Sequence, residues 1–218
     1  MNIEPYYQDD FVTIYCGDNR QVTPWLGSFD LLLTDPPYGI NENDRKVASR
    51  GRLAKPKDYG VFSWDKNKPE PWFLNSLMSI TKHQIIFGGN YFGLPPSQCW
   101  LVWDKENGTN DFADCELAWT NLPKAVRKFT WRWNGMLQED MKNKENRVHP
   151  TQKPLPLMHW CLGHVPEAKT VLDPFMGSGT TLLAAKQKGL KATGIEISEK
   201  YCEAAVKRLQ QGVLWQAN

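Results

Sequence analysis

The chain has 218 residues, 41% of them hydrophobic, and a formal net charge of only +2. That length can bury a real core in one globular unit of the larger sort, while so small a net charge excludes polyanion binding through the overall field and leaves only local basic patches for it. The cysteines (Cys16, Cys99, Cys115, Cys161, Cys202) contain no Cys-x-x-Cys pair and the histidines no His-Glu-x-x-His spacing, so neither a disulfide framework nor a metal site is expected. No apolar stretch is long enough to span a bilayer, and the polar start Met1-Asn2-Ile3-Glu4-Pro5 is unlike a signal segment, so a cytoplasmic protein with no membrane partner is expected.

In chain order, residues 11–16 are β-branched and aromatic and run into Gly17-Asp18, which predicts a strand and a turn. A short helical or irregular stretch follows, then an apolar strand at 29–34. Residues 41–71 are polar, broken by Pro56, Pro69 and Pro71, and basic, which predicts a long mobile loop. A helix is expected from 72 to 81 and strands at 84–87, 99–103, 116–119 and 128–133, the last alternating with period two. The C-terminal third reads as a strand at 170–172, a glycine-rich turn, a helix at 180–188 stopped by Gly189, a strand at 191–196 and a helix capped by Ser198. Strands alternating with helices predict an α/β fold, a mostly parallel twisted sheet with helices on both faces.

Two loops carry the chemistry, and each ends an apolar strand. Asp35-Pro36-Pro37-Tyr38 offers a carboxylate, a stiff turn with free carbonyls and an aromatic face, a set suited to holding a flat base by its amino group. Asp173-Pro174-Phe175-Met176-Gly177-Ser178-Gly179-Thr180-Thr181 is a glycine-rich strand-to-helix turn that lets backbone approach a small ligand. It lacks the lysine of a P-loop, and Glu196 ends the next strand, where a carboxylate can accept both hydroxyl hydrogens of a ribose. Either loop alone is commonly just a turn.

Together with His149-Pro150-Thr151-Gln152-Lys153-Pro154, these loops resemble the DNA amino-methyltransferases, and the order of catalytic tetrapeptide first and cofactor loop last resembles their β-group. The resemblance covers nearly the whole chain. It implies a Rossmann-like methyltransferase fold in circularly permuted order, with the strand near 12–16 beside the strand near 191–196. It implies S-adenosylmethionine as cofactor, held by Asp18, Asp35, Thr151, Lys153, Asp173, Phe175, Gly177, Ser178, Gly179, Thr180 and Glu196, with Lys153 and Thr151 meeting the cofactor's carboxylate. Asp35, Pro36, Pro37 and Tyr38 become the catalytic group, acting on the N6 amine of adenine in double-stranded DNA, because N4-cytosine members more often begin the tetrapeptide with Ser.

DNA contact is expected from the loop at 41–71, through Arg45, Lys46, Arg50 and Arg52, and from a minimal target-recognition segment at about 120–148, including Lys128 and Arg132. In this reading residues 1–218 form one catalytic domain. The resemblance leaves open a homodimer, a companion restriction endonuclease and the recognition sequence. Alternative readings keep the chemistry on N4-cytosine in DNA or on adenine in RNA, or retain only a vestigial cofactor fold in a non-catalytic nucleic-acid-binding protein.

Overall fold

The computed structural model describes residues 3–40, 68–108, 113–134, 137–149 and 151–211. Arg45, Lys46, Arg50, Arg52 and the rest of 41–67 lie outside the described residues. In chain order the elements are β1 (Tyr7–Gln8), β2 (Val12–Cys16), α1 (Asn19–Val22), β3 (Phe29–Thr34), α2 (Pro71–Ser79), β4 (Thr81–Phe87), β5 (Trp100–Asp104), β6 (Cys115–Thr120), β7 (Arg127–Thr130), β8 (Trp133–Asn134), β9 (Leu137–Gln138), α3 (Leu155–Leu162), β10 (Thr170–Asp173), α4 (Thr180–Gln187), β11 (Lys191–Glu196) and α5 (Glu199–Gln211).

Among the described residues, nine strands form one sheet in the order β1-β2-β11-β10-β3-β4-β6-β5-β7. The block from β2 to β4 is parallel throughout. Apolar residues in these strands fall on both faces, as expected of parallel strands covered on two sides. Leu31, Leu33, Ile85, Phe87 and Val171 pack against α3, α4 and α5, whereas the intervening Leu32, Ile86 and Leu172 pack against Phe73, Leu74 and Leu77 of α2. The period of two therefore assigns each side chain to one of two helical layers.

Two ladders position the chemistry. Leu31 and Leu32 pair with Val171 and Leu172, so the strands that carry the two signature loops are neighbours. Glu196 pairs with Cys16, so the chain's first long strand lies beside its last, as the permuted order requires. No helix among the described residues is long and apolar enough to cross a membrane.

Two expectations need correction, and one helix is absent from the sequence reading. Residues 128–133 do not form one strand: β7 ends at Thr130, and the chain then leaves the sheet so that Trp133 can bury its ring and donate its indole N–H to the Gln152 carbonyl at 2.9 Å. The helix expected at 72–81 starts at Pro71 and stops at Ser79, because proline is tolerated in a first helical turn and Thr81 already belongs to β4. Helix α3 is hidden in the sequence by Pro154 and Pro156, which occupy its cap and first turn, where no backbone N–H is needed.

Candidate active site

A cavity of about 800 Å³ opens beyond the carboxyl ends of the parallel strands, the usual ligand position in open α/β sheets. Asp18, Asp35, Pro37, Thr151, Lys153, Asp173, Phe175, Gly177, Ser178, Thr180 and Glu196 all line it. Residues 178 positions apart in sequence thus share one wall. Lys128 and Arg132 belong elsewhere, on and just beyond the margin strand β7, where they pair with Asp104 at 3.1 Å and Glu106 at 3.3 Å.

The glycine loop turns sharply at two left-handed positions, Gly177 (φ +50°) and Gly179 (φ +73°). A side chain at Gly179 would also collide with Ala205 of α5, 2.9 Å from the position of its Cβ, so glycine there serves both conformation and helix packing. Glu196 closes the loop from the other side: its carboxylate accepts from the Gly177 amide at 3.1 Å and the Ser198 amide at 2.8 Å. Burial nonetheless holds the Glu196 carboxyl above its ordinary value.

Asp173 accepts from the Thr34 hydroxyl at 2.8 Å and the Phe175 amide at 3.2 Å. Thr34 immediately precedes Asp35, so this bond ties the two signature loops together. Only 3% of Asp173 is exposed, and burial pushes its carboxyl up to about 6. Asp18 caps α1 through the Arg20 amide at 2.9 Å and pairs with the Arg20 guanidinium at 2.6 Å, and that pairing holds its carboxyl below the usual range.

The other end of the cavity is a polar cluster. Asp35 receives the Tyr38 hydroxyl at 2.6 Å on one oxygen and Lys153 at 2.5 Å on the other. Lys153, expected to face a cofactor carboxylate, thus has protein carboxylates as its partners here, since Glu116 of β6 also lies 3.0 Å from its ammonium. Lys105 binds Glu116 at 2.5 Å from the other side. Burial would raise Glu116, but the two ammonium groups outweigh it and draw it down to about 2. Asp35 goes the other way: burial raises it, the Glu116 charge adds to the rise, and Lys153 only partly offsets both.

Tyr38 stacks on Tyr91, with ring centroids 5.0 Å apart and planes 18° from parallel, and it rests on the backbone of Gly88. Thr151 sits against His149, its hydroxyl 3.2 Å from Nδ1. Burial and the nearby Lys153 charge lower His149 to about 3, so this ring is neutral at physiological pH.

Sequence reasoning missed Glu116, Lys105, Tyr91 and Arg208. Arg208 of α5 holds the glycine loop from behind, donating to the Ser178 carbonyl at 2.7 Å and the Thr180 hydroxyl at 3.0 Å. One signal was available for Glu116, an acid within an otherwise apolar strand run. The other three carry no local mark.

A family model of N6/N4 methyltransferases, described as DNA methylase, matches residues 93–207. The chain is 38% identical to the type II methyltransferase M2.LlaDCHI of Lactococcus lactis subsp. cremoris, over 97% of this chain and 94% of that one. It is 39% identical to the type II methyltransferase M2.DpnII of Streptococcus pneumoniae, over 95% and 92%. Among solved structures, the cytosine-N4-specific PvuII DNA methyltransferase shares the fold with a TM-score of 0.58 at 16% identity, over 94% of this chain and 88% of that one. The M1.HpyAVI–SAM complex does so with 0.53 at 22%, over 91% and 98%.

Proposed function

The chain belongs to the N6/N4 DNA methylases, and on that premise we propose that it transfers a methyl group from S-adenosylmethionine to the N6 amine of adenine in double-stranded DNA. The observation that carries this reading is the juxtaposition of Asp35 with the glycine loop, through neighbouring strands and the Thr34–Asp173 bond.

The cavity's donor set fits the cofactor. Glu196 and the loop amides suit a ribose diol, Asp173 an ammonium group, and Asp18 the amino group of a purine. Bound there, S-adenosylmethionine supplies a methyl group already activated on a cationic sulfur, so the protein needs neither a metal nor a covalent intermediate.

The remaining work falls to the chain's own residues. An exocyclic amine conjugated to its ring is a weak nucleophile. Asp35 accepts one of its hydrogens and the Pro36 carbonyl the other, which draws the nitrogen toward tetrahedral geometry; alignment of this kind is worth roughly 7–11 kcal/mol. Methyl transfer would leave the C–S electron pair on the cofactor's sulfur and a positive charge on the amine nitrogen held by Asp35 and the Pro36 carbonyl. Its proton then passes to Asp35 and on to solvent. Tyr38 supplies an aromatic face for a base rotated out of the duplex.

Adenine is favoured over cytosine by the Asp at the head of the tetrapeptide, and the basic segments at 41–71 and about 120–148 are assigned to DNA contact. The test is base-resolved mapping of DNA from cells expressing the protein or Asp35→Ala. N6-methyladenine at a short site, lost in Asp35→Ala, supports the assignment. N4-methylcytosine would move the target, and no modification would end the reading.

A further inference from the structure

The surroundings of Asp35 hold more charge than a single proton acceptor needs. Lys153 lies between two carboxylates, 2.5 Å from Asp35 and 3.0 Å from Glu116, with only 8% of its side chain exposed. Lys105 reaches the other Glu116 oxygen at 2.5 Å. The Tyr38 hydroxyl lies 2.6 Å from Asp35 and 3.4 Å from Glu116, and so touches both acids.

The placement of the outer pair is rigid. Glu116 is on β6 and Lys105 directly follows β5, where its amide donates to the Asp114 carbonyl at 2.9 Å. Antiparallel pairing of β5 with β6, including Asp104 opposite Cys115, holds the two side chains together. Two lysines and two carboxylates sum to zero charge, the condition under which ionised groups tolerate burial.

We propose that Glu116 and Lys105 are positioning residues for methyl transfer: Glu116 anchors Lys153 against Asp35 and shares its charge, and Lys105 limits how much negative charge Glu116 presents to Asp35. This rests on the reading of Asp35 as proton acceptor. With Glu116 absent, Lys153 would act on Asp35 alone and make it a weaker base. With Lys105 absent, Glu116 would repel a second anion more strongly, and Asp35 would hold a proton more readily. Among the described residues, the other titratable groups near Asp35 are Tyr38 from its own loop, Asp173 from β10 and His149 beside Lys153, and both substitutions leave these in place.

The consequence is a pair of displacements of opposite sign, which loss of packing alone would not produce. The experiment measures single-turnover methyl transfer to DNA against pH for wild type, Glu116→Gln and Lys105→Met. In parallel, the Asp35 carboxyl is titrated in the cofactor-free protein by carbon-13 NMR, with Asp35→Asn for assignment. Expected results are an acid limb and an Asp35 midpoint lowered by roughly one pH unit or more in Glu116→Gln, the size of effect a nearby charge produces, and raised in Lys105→Met, which acts on Asp35 through Glu116.

Methyl transfer with midpoints unmoved, or moved in the same direction by both substitutions, overturns the proposal. Should Glu116→Gln fail to fold, Lys105→Met decides alone: a raised midpoint supports the proposal and an unchanged one overturns it. The expected NMR displacements in the two variants, with a wild-type protein that methylates no base, would instead overturn the functional reading, and the catalytic role proposed here with it.

Discussion

Replacement of Gly88 by alanine tests the placement of Tyr38 without substituting any residue of either signature loop. Gly88 follows β4 with φ +66°, and a Cβ there would lie 2.1 Å from Tyr38 Cε1, 2.5 Å from Cδ1 and 2.7 Å from Cζ. Carbon atoms in favourable contact are about 3.5–4.0 Å apart, so the ring has to retreat by more than about 1 Å. It is stacked on Tyr91 and its hydroxyl is 2.6 Å from Asp35, and a retreat gives up both contacts.

The left-handed backbone adds about 1–2 kcal/mol for any L-residue with a side chain. For a protein of this size that lowers Tm by roughly 2–8 °C. Misplacement of a base-holding group by about 1 Å costs about a hundredfold in rate. The expected outcome for Gly88→Ala is therefore a single-turnover rate down by about two orders of magnitude. Cofactor affinity by calorimetry should stay within a few-fold, because Gly88 does not line the cavity. Tyr38→Phe, which removes only the hydroxyl, should lose less. Wild-type transfer by Gly88→Ala would refute the assignment of Tyr38 to base positioning.

Asp173 carries a stability cost that pH should reveal. Its carboxyl is raised by burial from 3.8 to about 6, so the protonated form favours folding fully below 3.8, and that advantage is lost as pH rises through about 6; at about 1.36 kcal/mol per pH unit the loss is about 3 kcal/mol. Asp173→Asn should accordingly gain thermal stability relative to wild type as pH goes from acid to neutral, while its S-adenosylmethionine affinity falls. A Tm difference independent of pH would contradict the assignment. Replacing Arg45, Lys46, Arg50 and Arg52 together by Ala should weaken DNA binding and reduce the slope of log affinity against log salt by up to about 4, with cofactor binding unchanged. An unchanged slope would assign phosphate contact to the segment at about 120–148.

The strands, the glycine turn and the order of the signature loops are legible in the sequence because each depends on local chemistry. A short apolar run makes a buried strand, two close glycines permit a tight strand-to-helix turn, and the prolines of Asp-Pro-Pro-Tyr, with no N–H to give the ladder, end the strand at Thr34. From those, and from the resemblance they carry, follow the parallel sheet, the pairing of β3 with β10 and the adjacency of β2 and β11. Helix α3 escaped because proline's meaning depends on its distance from a helix start, which a breaker rule does not register.

Partner choice among charged side chains was decided only by the tertiary structure. Lys153 is 118 residues from Asp35, and Tyr38 is 78 from Glu116, so no local window contains both members of either contact. Lys105 and Glu116 meet because β5 and β6 pair in a particular register; a slip of one residue would turn Glu116 to the opposite face of the sheet. Burial then decides what those charges do. The same carboxyl group is held low at Glu116, which keeps two cations, and high at Asp35, which shares one, and that difference arises from desolvation and distance, which the sequence alone does not contain.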